Sequence, residues 1–474
     1  MANFVGKLKN NIMRVKFLTL IVLSISTIYS FAQQGTIGND ELFQLRKSYD
    51  KNDLATRAIT NALTHNSLKD LVVNLENEGK TDHLFKYKVK VSGITDQKSS
   101  GRCWAFASLN TLRPAVMEKL NVSSFEFSLN YLYFWDILEK SNLFLENVIA
   151  TIDKPWDDRY VEWYFKSPVD DGGVWNLYVN LVQKYGCVPK SVMPETNSSN
   201  STRQLTSIIK TKLREHGYNL REEFGGKKTD RKNIEKQKLT MLSDIYRILC
   251  FHLGEPPAEF TWRYETKDGE IKSFEKYTPL QFMQEILPDV KYDEYVMIMN
   301  DPTRPYYQYF EIENYRNTKE GVNWKYVNLP NDVIKQICVA SIKGNESMYT
   351  SSDVGKQLNN KEGILSLDNY DYESIYGIPF GMDKKARIIT RESGSAHAMT
   401  LIAVDVDENE KPTKWQFENS WGSSSGYNGY LTFTDAWFDE YMFRFVAHKK
   451  YLSADVLKVL EKKPIMLPPW DPMF

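Results

Sequence analysis

The sequence predicts an α+β protein with two lobes, one helical and one rich in strands, and a large, mostly helical insertion between them. Three observations carry that prediction. Apolar residues recur at helical spacing in "CWAFASLNTLRPAVMEKL": Trp104, Phe106, Leu109, Leu112, Val116 and Leu120. Beyond residue 390 the pattern changes to short strands, "HAMTLIAVDVD", "TKWQFENSWG" and "GYLTFTDAWF", divided by turn chemistry at Asp405–Asn409 and Gly426–Gly429. Between these regions, "PETNSSNSTRQL" opens a stretch of different composition, first highly charged and helical, then aromatic and punctuated by proline.

Taken in order, the chain begins with Arg14 and Lys16 ahead of an apolar run from Phe17 to Ile28. Ser30 and Ala32 follow where a signal peptidase reads small residues, so 1–32 is expected to be a signal peptide cleaved after Ala32. The run is too short for a spanning helix, which needs about 20 residues. The expected location is periplasmic or secreted, with no membrane association after cleavage. Residues 33–90 read as a charged, helical N-terminal extension, and 91–195 as the helical lobe. Within that lobe Pro114 is expected to bend the first helix, since proline forfeits a backbone hydrogen bond. "SLNYLYFWDILEKSNLFLENVIA" is a second helix, and "VWNLYVNLVQKYG", stopped at Gly186, a third. The insertion spans 196–380, and the β-rich lobe with a C-terminal arm spans 381–474.

Hydrophobic residues make up 42% of the 474, enough for a packed core and too many for a disordered chain. The net charge of -1 removes the electrostatic case for nucleic-acid binding. Cys103, Cys187, Cys250 and Cys338 form no C-x-x-C pair and no zinc-ligand spacing. No metal or other cofactor is expected, and disulfides do not organise the fold.

A thiol attacks a carbonyl as thiolate, which needs positive charge nearby and benefits from a helix N-terminus. Cys103 stands at the first turn of its predicted helix. Of six histidines, only His397, in "SGSAHAMTLIAV", lies at a strand start among small residues. Asn419 follows in "ENSWG", where its carbonyl can fix the imidazole tautomer and Trp421 can shield that bond from water. The Gln97 amide and the Cys103 backbone N–H could form an oxyanion hole. Each feature alone also has a purely structural reading; the order Gln, Cys, His, Asn makes coincidence a poor account.

"QKSSGRCWAFASLN", "DGGVWNLYVNLVQKYGCVPKSVMPET", "GMDKKARI", "KWQFENSWG", "GYLTFTDAWFDEYMF" and "PIMLPPWDPM" resemble the papain-superfamily cysteine peptidases, and within them the bleomycin hydrolase/aminopeptidase C family. The resemblance runs from about residue 95 to the last residues. It implies a papain-like two-lobe fold, with the Cys helix in one lobe and His and Asn in a β-barrel-like other. By the same resemblance Cys103 is the nucleophile, His397 the general base and then acid, Asn419 the orienting residue and Gln97 the oxyanion donor. Gly172 and Gly173 resemble the glycine pair whose backbone binds an extended peptide. The family also implies peptide substrates, a homo-hexameric ring built through the insertion, and an aminopeptidase whose C-terminal carboxylate meets the substrate amine.

Two features depart from the family pattern. The arm ends in "WDPMF", where the pattern runs a few residues further; three missing residues would withdraw the carboxylate by about 10 Å. Endopeptidase or oligopeptidase activity is therefore the alternative to aminopeptidase action. The signal sequence is the second departure. A papain-fold acyltransferase would more often orient its histidine with Asp, and a non-catalytic ring-forming binding protein would have lost one of the four residues.

Overall fold

The computed structural model describes residues 35–91, 93–227 and 231–471. The expected signal segment and the last three residues of the arm lie outside that range. The chain divides into two compact units, one ending at Val73 and including Tyr372–Gly377, the other formed by Asn74–Asp371 and the chain from Ile378. In the first unit the helices Asn39–Lys47, Leu54–His65, Leu68–Leu71 and Tyr372–Tyr376 contain no buried residue. Asp53 caps the second of them by accepting the Thr56 N–H at 2.8 Å.

In the second unit a helical layer meets a sheet. Its main helices are α1 (Cys103–Lys119), α2 (Leu129–Ala150), α3 (Trp175–Tyr185), α4 (Arg203–Phe224) and α5 (Arg231–Leu253). α1 is buried around most of its circumference, which explains why its apolar residues are not confined to one stripe. Pro114 lies inside α1, which nevertheless continues to Lys119. Burial of Leu112, Val116 and Met117 around the proline helps offset the lost hydrogen bond. Ser128 caps α2 by accepting the Tyr131 N–H at 3.1 Å.

The sheet strands are β1 (Tyr295–Met299), β2 (Gln308–Ile312), β3 (Lys325–Asn328), β4 (Met348–Ser352), β5 (His397–Val406), β6 (Pro412–Glu418), β7 (Tyr430–Thr434), β8 (Met442–His448) and β9 (Ile465–Leu467). They are ordered β9-β2-β3-β1-β8-β4-β5-β6-β7, continued by the short strands Ile364–Leu365 and Leu358–Asn359. Strands from 295–352 thus share one sheet with those beyond 381. β5 is antiparallel to β6, pairing Thr400 with Glu418, so the start of β5 lies beside the end of β6. Among the described residues no helix is long and apolar enough to cross a membrane.

Candidate active site

Cys103 opens α1, with Arg102 immediately before it in a non-helical conformation. Two connections hold the preceding loop. The Arg102 guanidinium, almost wholly buried, pairs with Glu195 at 2.9 Å and donates to Ser100 Oγ at 3.0 Å. The Gly101 N–H donates to Asp171 Oδ2 at 2.7 Å, and the Trp104 indole donates to the Asp171 carbonyl at 2.9 Å. A side chain on Gly101 would collide with that carboxylate, since a Cβ would stand 2.4 Å from Asp171 Oδ1. The glycine thus permits the loop to close over Asp171.

His397 is the first residue of β5, and Asn419 follows the last residue of β6. The antiparallel pairing of these strands brings the two side chains together, with His397 Nε2 2.8 Å from Asn419 Oδ1. The same Oδ1 accepts the Ser420 N–H at 2.8 Å, which orients the amide with its oxygen toward the ring. Nε2 must therefore carry the proton and donate, leaving the Nδ1 lone pair available for a proton from elsewhere. Trp421 lies over the imidazole with ring centroids 4.7 Å apart, shielding that bond.

Gln97 is tied to the same segment. Its backbone N–H donates to the Ser420 carbonyl at 2.8 Å, and its Oε1 accepts from Ser420 Oγ at 2.6 Å. Nε2 then uses one hydrogen on the Ser100 carbonyl at 2.6 Å and retains a second. Thr400 Oγ1 donates to the Ala107 carbonyl at 3.1 Å, joining β5 to α1 three residues beyond His397.

Gln97, Cys103, His397, Gly172 and Gly173 line one cleft of ≈ 630 Å³. Asn419 stands behind His397. Burial raises the Cys103 thiol pKa; the backbone N–H groups of Ala398 and Trp104 oppose this, while the Asp171 carboxylate adds to it. Burial lowers His397 to about 4, against the opposing hydrogen bond to Asn419. Each group alone therefore favours its neutral form.

The four cysteines are free thiols, and Cys187 and Cys338 are buried with strongly raised pKa values caused by burial.

The arm also reaches the cleft, through Pro469. β9 pairs in parallel with β2, the Arg159 guanidinium lies 4.0 Å from the Trp470 ring centroid, and buried Asp471 is ion-paired with Arg304. Ser420, Asp171, Arg304 and Lys140 carry no role that the sequence motifs reveal. Ser420 could have been noticed as a hydroxyl inside "ENSWG"; Lys140 has no comparable local signal.

A thiol at a helix N-terminus and an amide-oriented histidine in one cleft, on this two-layer α+β fold, define a papain-like cysteine peptidase. A family model described as the Peptidase C1-like family matches residues 36–474, and the chain belongs to that family as a cysteine-type peptidase. It is 39% identical to mouse (Mus musculus) bleomycin hydrolase over 424 residues, covering 87% of this chain and 93% of the relative. It is 38% identical to aminopeptidase C of Streptococcus thermophilus over 418 residues, covering 88% and 94%. The crystal structure of PepW from Lactobacillus rhamnosis superposes with a TM-score of 0.89 at 36% identity, covering 93% of this chain and 99% of that one.

Proposed function

We propose that this protein hydrolyses short peptides from their N-termini through a Cys103–His397–Asn419 triad. The observation that carries the reading is the 2.8 Å bond from His397 Nε2 to Asn419 Oδ1, set in the cleft that holds Cys103. With Nε2 committed to Asn419, Nδ1 takes the thiol proton and the thiolate attacks the peptide carbonyl. The remaining Gln97 amide hydrogen and the Cys103 backbone N–H stabilise the oxyanion. His397 returns the proton to the leaving amine, and water then cleaves the thioester. The Gly172–Gly173 segment supplies backbone to the bound peptide.

Aminopeptidase action is supported by the arm, which carries Pro469 into the cleft, and by the similarity to aminopeptidase C. The reading includes export, supported by the charged and apolar pattern of residues 14–32. It also includes a homo-hexamer built through the insertion, supported by exposed Leu239, Phe251 and Ile271 there.

The test offers one peptide in free and N-acetylated forms, with Cys103→Ala as the blank, and identifies products by mass. Stepwise trimming of the free form alone is expected. Internal cuts in both forms would establish endopeptidase action, and no Cys103-dependent cleavage would remove the reading for these substrates.

A further inference from the structure

The cleft holds a buried ion pair that the proposed chemistry does not use. Lys140, on α2, places its ammonium 2.7 Å from Asp136 Oδ2, one helical turn away. The same ammonium donates to the Asp170 carbonyl at 2.9 Å and to the Gly172 carbonyl at 2.6 Å. Asp136 is fully buried and accepts from Asn317 Nδ2 at 2.9 Å. Burial raises Asp136 to about 6; burial would lower Lys140, but Asp136 and Asp170 outweigh it and leave the ammonium above its ordinary value. Buried pairs of this kind are weak evidence of stabilisation, because desolvation consumes much of the attraction.

The consequence for the cleft runs through one peptide bond. The Gly172 C=O and the Gly173 N–H belong to the same planar trans unit, so holding one sets the direction of the other. The Gly172 N–H is also taken, donating to Asp170 Oδ1 at 3.0 Å. Gly173, by contrast, has no main-chain hydrogen-bond partner among the described residues. A Cβ on it would stand 2.7 Å from the Trp104 ring, so only glycine leaves that backbone bare.

We infer that Lys140, held by Asp136, is a positioning residue. It commits Gly172 to the protein interior and orients the shared peptide so that Gly173 alone hydrogen-bonds the main chain of a peptide substrate. This rests on the peptidase reading above.

The full chain is compared with K140R, K140Q and D136N/K140M; the double variant removes the ammonium together with its buried counter-charge. Two quantities are measured: kcat and KM on an extended free peptide, and the pH profile of Cys103 alkylation by iodoacetamide, which needs no glycine backbone. The double variant is expected to raise KM about tenfold, the size of one or two lost hydrogen bonds. Its kcat should stay within about threefold and its alkylation profile unmoved, because the thiol and imidazole are untouched. K140Q, which keeps an uncharged donor group, should raise KM about threefold, and K140R should stay near the parent. Unchanged KM in both D136N/K140M and K140Q overturns the inference. So does a KM rise accompanied by a shifted alkylation profile, which marks a general loss of cleft structure. A parent chain that alkylates but cleaves no peptide defeats the peptidase reading itself, a different result.

Discussion

Cys103 and Gln97 reach the cleft from one helix start and the loop before it, whereas His397 reaches it from a strand start, backed by Asn419 at the meeting end of the next strand. On the helical side the chain is nearly continuous, and short-range contacts around Ser100, Gly101 and Arg102 set the thiol in place. On the sheet side the geometry depends on register, because a slip of one residue would send His397 to the other face of the sheet. The two sides are also joined behind the site. Arg113 of α1 pairs with Glu418 of β6 at 2.6 Å, both side chains almost fully buried, and Glu418 directly precedes Asn419. The difference teaches that reactive groups can be placed locally while their mutual distance is set by a few buried polar ties.

The largest expected effect comes from cutting that tie. Arg113→Met leaves Glu418 buried without its cation and should cost about 3–5 kcal/mol in denaturant unfolding. The loss should be greater at pH 8 than at pH 5, since protonation relieves the stranded carboxylate. A loss below about 1 kcal/mol would mean that the two sides are held independently.

An intermediate effect separates the two sides chemically. Gln97→Ala should lower kcat by about 10²–10³, the usual worth of one oxyanion donor, and leave the pH profile of Cys103 alkylation in place. Asn419→Ala should shift that profile, because it frees the imidazole proposed to accept the thiol proton. If both variants move alkylation equally, the division of labour between helix and sheet fails.

The smallest effect is a change in pH dependence. Burial raises Glu418 to about 7 from an ordinary 4.5, against the opposing charge of Arg113. A raised folded pKa means that the folded state binds the proton more tightly. This contribution to stability is full below about 4.5 and lost as pH rises through about 7. Glu418→Gln should therefore flatten the curve of Tm against pH across that window, as read by thermal melts in matched buffers.

The sequence by itself determined the types of element and named the candidate reactive groups. Helical spacing from Trp104 to Leu120 marked α1, turn chemistry bounding short strand-like runs marked β5 and β6, and the order Gln97, Cys103, His397, Asn419 named the candidate set, because periodicity and neighbouring residues are local properties. Only the tertiary structure decided which distant groups meet. It placed strands from 295–352 in the sheet of His397, paired Arg113 with Glu418 across 305 residues, and set Lys140 against Gly172. These contacts depend on strand register and on the packing of α1 against β5. A lysine or glutamate with no periodic signature looks like any surface charge until burial forces it to find a partner.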